Sequence, residues 1–158
     1  MTRNEPGKNQ HPATCADSPR AATLVENSIT PEQGIKKILV IEDEPDYRRV
    51  LRIRLEANGY HVIEAATGIN GLIIVRSRLV DLIILDVLLP AVDGYTLAWF
   101  FKSDPQSRHI PVVMLSVLSK EDDVKKGMSS GADAYLIKPC DSHQLLTTIS
   151  IHLSKNKA

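Results

Sequence analysis

The feature that most constrains this chain is a fivefold alternation of short apolar runs with amphipathic stretches between Ile35 and Leu153. The apolar runs are bounded by charge and too short for buried helices, so each reads as a strand covered on both faces. They fall at Lys36 to Ile41, His61 to Glu64, Asp81 to Leu85, Pro111 to Leu115 and Ala134 to Ile137. Pro45, suited to a first helical turn, opens a helix that carries Val50, Leu51 and Leu55 and stops at Asn58-Gly59. A second helix runs from about Gly68 to Ser77, and a third from Gly94 to Ser103, ahead of Asp104-Pro105. Ser119 is the expected cap of the fourth. Glu121, Asp122 and Asp123 fill its first turn, Gly127 weakens it and Gly131 ends it. The last helix starts at Asp141 or Ser142 and sets Leu145, Ile149 and Leu153 at i, i+4 and i+8. Strand-then-helix units of this kind predict an α/β domain: a doubly wound, five-stranded parallel sheet with helices on both faces.

Right-handed crossovers carry every strand's carboxyl end to one edge. Glu42 and Asp43, Asp86, Ser116 and Lys138 each follow a strand directly. The predicted sheet therefore gathers them on one rim, where open α/β sheets bind ligands. Read singly, they have plain roles: acids at a helix start, turn groups at Asp86 and Ser116, a solvated lysine. Read together, they form a reactive set. Three carboxylates crowded together need neutralising, and a divalent cation plus the Lys138 ammonium balances them. Oxygen ligands with room for water favour Mg²⁺ over Ca²⁺. Asp86 is the expected nucleophile, taking up a phosphoryl group as an acyl phosphate. Lys138 would pair with one phosphoryl oxygen and Ser116 would hydrogen-bond another.

Composition excludes several alternatives. Lys+Arg and Asp+Glu both total 19, so no net field favours nucleic acid or an anionic membrane. With two Phe and one Trp, a nucleic-acid stacking platform is not expected. No run approaches the ~20 apolar residues of a membrane-spanning helix, and the start lacks the apolar core of a signal peptide. Cys15 and Cys140 make neither a disulfide framework nor a metal-binding spacing, which points to the cytoplasm. Residues 1–34 carry Pro6, Pro12, Pro19 and Pro31 among polar residues. They read as a disordered extension with one short helical turn near Ala21–Asn27. The domain itself is expected over residues 35–155, with no output domain.

ILVIEDEP, DLIILDVLLPAVDG, PVVMLS and GADAYLIKP, followed by the amphipathic closing helix, resemble in that order the receiver domain of two-component response regulators. The resemblance covers about Lys36 to Leu153. It implies a flavodoxin-like sheet of strand order 2-1-3-4-5 with five helices. It further implies phosphorylation of Asp86 by a sensor histidine kinase or histidine phosphotransfer protein. Mg²⁺ would be held by Glu42, Asp43, Asp86 and the backbone carbonyl of Leu88. Ser116 would move toward the phosphoryl group while Tyr135 swings inward, and Lys138-Pro139 matches a peptide bond that is often cis. Three positions depart from the family pattern. Glu42 stands where Asp is commoner, and its extra methylene favours a water-mediated metal contact. Val117 stands where Ala or Gly is usual, and its branched side chain is expected to crowd out water and slow loss of phosphate. Cys140 replaces a frequent aromatic.

The function so implied is a phosphoacceptor, not an enzyme, that docks to an unknown downstream protein. The docking face would be formed by the fourth helix, fifth strand and fifth helix. Two alternatives stay open. One is a receiver-shaped interaction module that works without phosphorylation. The other is a Mg²⁺-dependent aspartyl-phosphate phosphohydrolase, which needs a second acid where this chain has Leu88.

Overall fold

The computed structural model describes residues 34–156, and the expectations placed on residues 1–33, the helical turn included, lie outside them. The elements are β1 (Lys37–Ile41), α1 (Pro45–Glu56), β2 (His61–Ala65), α2 (Gly68–Ser77) and β3 (Leu82–Leu85). They continue with α3 (Gly94–Ser103), β4 (Val112–Ser116), α4 (Glu121–Ser129), β5 (Ala134–Ile137) and α5 (Ser142–Lys155). All strand pairs are parallel, in the order β2-β1-β3-β4-β5. This is the flavodoxin-like arrangement.

Strand side chains alternate between faces, and the core divides accordingly. Ile38 and Val40 of β1, Leu82 and Ile84 of β3, and Val113 and Leu115 of β4 pack with Leu51 and Leu55 of α1 and Leu145, Ile149 and Leu153 of α5. Leu39, Ile41, Ile83, Leu85 and Met114 face the other way, onto Leu97, Ala98 and Phe101 of α3 and the half-buried Leu72 and Val75 of α2. The continuous apolar runs follow from this double coverage: residues 38–41 of β1 are wholly buried.

The boundaries differ from the sequence reading in ways the hydrogen bonds explain. β3 begins at Leu82, and the Asp81 carboxylate just ahead of it reaches across to the start of β1. It accepts the Lys37 N–H at 2.7 Å and the Lys36 ammonium at 3.4 Å, tying the starts of β3 and β1 together. β4 begins at Val112 because Pro111 has no N–H; its carbonyl accepts from Ile83 at 2.9 Å. Ser119 does not cap α4. Lys120 holds the N-cap position, and the Asp123 carboxylate reaches back to accept its N–H at 3.2 Å. Of the two candidates for the start of α5, Asp141 is the cap, accepting from the Gln144 N–H at 2.8 Å. Cys140, in place of an aromatic, is buried in the core beside α5. Among the described residues no helix is long and apolar enough to cross a membrane.

Candidate functional site

Because β1, β3, β4 and β5 are consecutive parallel neighbours, their carboxyl ends share one edge of the sheet. Glu42 and Asp43 leave β1, Asp86 leaves β3, Ser116 ends β4 and Lys138 leaves β5. The carboxylates of Glu42, Asp43 and Asp86 each place an oxygen within 4.8 Å of the others. The Lys138 ammonium lies 2.6 Å from Glu42 Oε2 and 3.4 Å from Asp86 Oδ2. Groups 96 positions apart in the chain, Glu42 and Lys138, thus meet in a partly buried ion pair. The acids and the amine lie together at the carboxyl ends of the strands.

The surrounding backbone holds this arrangement. Glu42 Oε1 accepts the Glu44 N–H at 3.2 Å, and Arg48 donates to the Glu42 carbonyl at 2.7 Å. Asp86 Oδ1 accepts the Leu88 N–H at 3.3 Å. Gly94 lets the following loop fold back on the strand end: its N–H donates to the Val87 carbonyl at 2.8 Å. A Cβ there would strike the Asp86 carbonyl and come within 2.7 Å of Val87 Cα. The Lys138–Pro139 peptide bond is cis.

Electrostatics follow from burial. Burial pushes the Glu42 carboxyl above its ordinary value; the Lys138 hydrogen bond opposes this, and the charge on Asp86 adds to it. For Lys138, burial pulls downward. The hydrogen bond it donates to Glu42 and the charges of Asp86 and Glu42 outweigh it, and the ammonium is held above its ordinary value. Three carboxylates against one ammonium leave an excess of negative charge. With oxygen-only donors and Asp43 still exposed, the set fits a hard divalent cation.

The hydroxyl side of the site is linked through one residue. Leu118 donates its N–H to the fully buried Ser116 Oγ at 3.2 Å, and its carbonyl accepts from the Tyr135 hydroxyl at 2.8 Å. Tyr135 is half-buried against the core. Val117 stands on the same loop with 57% of its surface exposed.

Three residues at or beside the rim escape a reading by strand ends alone. One is Gly94. The others are Tyr47, whose ring centroid lies 4.3 Å from the Lys138 ammonium, and Tyr95, whose hydroxyl donates to the Asp123 carbonyl at 3.2 Å. Burial holds the Tyr47 phenol above its ordinary value, against the pull of Lys138. The available signal for Tyr47 was its place in the first turn of α1, directly after the acid pair.

Comparison with known proteins supplies the wider frame. A family model described as the response regulator receiver domain matches residues 38–150. Among curated relatives, the DNA-binding dual master transcriptional regulator RpaA of Synechocystis is 40% identical over 113 residues, covering 72% of this chain and 47% of that one. The response regulator PleD of Caulobacter vibrioides is 38% identical over 113 residues, covering 72% and 25%. The chain thus spans between a quarter and a half of the length of these relatives. Among solved structures, a signal receiver domain of a histidine kinase from Syntrophus aciditrophicus superposes with a TM-score of 0.73 at 36% identity, covering 77% of this chain and 92% of that one. A receiver domain of a sensor histidine kinase from Pseudomonas aeruginosa, with a magnesium ion in its active-site cleft, gives 0.72 at 26% identity, covering 77% and 99%.

Proposed function

The chain belongs to the response regulator receiver domain family, and on that premise we propose that Asp86 accepts a phosphoryl group from a histidine kinase or histidine phosphotransfer protein in the cytoplasm. The observation that carries the proposal is the partly buried Lys138 ammonium set against Glu42 and Asp86, two of the three clustered carboxylates. An Asp86 oxygen attacks phosphorus, the P–N bond of the phosphohistidine breaks, and its electron pair returns to the imidazole. The product is an acyl phosphate on Asp86. Glu42, Asp43, Asp86 and the Leu88 carbonyl are the groups that would hold Mg²⁺, which supplies positive charge against the phosphoryl oxygens. Lys138 meets a further phosphoryl oxygen without leaving its burial, since it already lies against Asp86.

The hydrogen bonds of Leu118 suggest how the modification is read out. A shift of Ser116 Oγ toward the phosphoryl group draws it away from the Leu118 N–H that it now accepts. That loosens the loop whose carbonyl fixes the Tyr135 hydroxyl. Tyr135 then moves inward, and the α4–β5–α5 surface docks a downstream protein. The test is incubation of the full chain with Mg²⁺ and acetyl phosphate, followed by intact-mass measurement. A stable single-phosphate adduct that Asp86→Asn abolishes is the expected result. No adduct would favour a module working without phosphorylation, and rapid multiple turnover would favour a phosphohydrolase.

A further inference from the structure

The Lys138 ammonium donates to Glu42 Oε2 at 2.6 Å and pairs with the Asp86 carboxylate at 3.4 Å, which leaves N–H donors without a hydrogen-bond acceptor among the described residues. On a further side of the ammonium lies the Tyr47 ring, whose centroid is 4.3 Å away. An aromatic face attracts a cation at this range, more so where water is thinned out, and the Lys138 side chain is only 11% exposed. Tyr47 comes from the first turn of α1, so one helix turn presents the ring to a lysine delivered by β5. We infer that Tyr47 is a positioning residue for phosphoryl uptake: its ring holds the Lys138 ammonium in the plane of Glu42 and Asp86, ready to pass from one carboxylate to the incoming phosphoryl oxygens.

The physical reason is the imbalance between the two carboxylates. Lys138 sits closer to Glu42 than to Asp86, so transfer toward a phosphoryl group on Asp86 lengthens the Glu42 contact. A ring face exerts a broad attraction with no fixed acceptor direction, and the ammonium can slide across it while keeping that contact. Tyr47 itself never touches the reacting atoms and acts only through Lys138. That role presupposes the phosphoacceptor reading above, whereas the ring–ammonium contact does not.

Two variants of the full chain and two readouts test it. Tyr47→Leu keeps an apolar side chain and removes the ring; Tyr47→Phe removes only the hydroxyl. With Mg²⁺ and acetyl phosphate, Tyr47→Leu is expected to slow adduct formation by about 2- to 30-fold, the span of a cation–π contact, and Tyr47→Phe to restore most of the rate. By NMR, the ε-methylene protons of Lys138 should be shifted upfield by the ring in the wild type and in Tyr47→Phe, and should lose that shift in Tyr47→Leu. The shift reports the contact, and recovery of the rate in Tyr47→Phe but not in Tyr47→Leu reports the positioning role of the ring face. An unaltered rate in Tyr47→Leu, or a Tyr47→Phe as slow as Tyr47→Leu, overturns the positioning role. Absence of the upfield shift in the wild type overturns the contact itself. A shift that is present in a wild type taking no phosphate overturns instead the phosphoacceptor reading, and the positioning role with it.

Discussion

Glu42 commits both carboxylate oxygens within the protein, one to Lys138 and the other to the Glu44 N–H, while Asp43 beside it remains exposed. If the two share a cation with Asp86, Asp43 is the ligand with least to give up. Asp43→Asn is therefore expected to weaken Mg²⁺ binding by more than the roughly tenfold that loss of an outer partner costs. Calorimetric titration of the unphosphorylated protein measures this, and an unchanged affinity would remove Asp43 from the ligand set. Val117 gives a second residue-scale prediction. Its exposed, branched side chain stands next to Ser116, where it can hinder the approach of water to an acyl phosphate. Val117→Ala should shorten the lifetime of the phosphate adduct, read by following its mass with time after acetyl phosphate is removed. An equal lifetime would mean that access is controlled elsewhere.

The seat of α4 is decided by a glycine. Gly127 lies in the interior of that helix, where Ala would normally be favoured by about 1 kcal/mol. A Cβ there would come within 2.6 Å of the Tyr135 ring and 2.9 Å of Met114 Sδ. Overpacking of this kind costs about 1–3 kcal/mol, so the clash outweighs the gain in propensity. Gly127→Ala is expected to lower stability by about 1 kcal/mol in urea unfolding; a stabilised variant would show that α4 lifts away freely. The same close approach bears on the proposed switch, because the Tyr135 ring lies directly beneath the helix it would have to disturb. Tyr95 adds a tie between α3 and the first turn of α4 through its hydroxyl, and the Lys126 ammonium lies 4.6 Å from its ring centroid.

For the molecule as a whole, one group on α5 couples stability to pH near neutrality. Burial pulls the His152 imidazole below its ordinary value of 6.5; Asp133 works against this and Lys155 and Lys102 reinforce it. A base depressed in the folded state takes its proton first in the unfolded chain. Its contribution is therefore complete well above the ordinary value of 6.5 and declines as pH falls through and below it. Thermal unfolding across that window should show a smaller fall in stability for His152→Gln than for the wild type. Equal slopes would mean that His152 is solvated in both states.

The residue types and their order along the chain already determined the five units, the parallel sheet and the rim that carries Glu42, Asp43, Asp86, Ser116 and Lys138. Those properties depend on apolar period, turn chemistry and crossover handedness, all of which are local or nearly so. The tertiary structure alone decided which group pairs with which. Nothing in the spacing of Glu42 and Lys138 says that their ion pair is shorter than that of Lys138 with Asp86. Nor does it place Tyr47 beside that ammonium, or make Gly127 a packing requirement where the helix pattern reads it as a weak point. Such facts turn on distances of an ångström between side chains brought together from remote segments, and only close packing sets those.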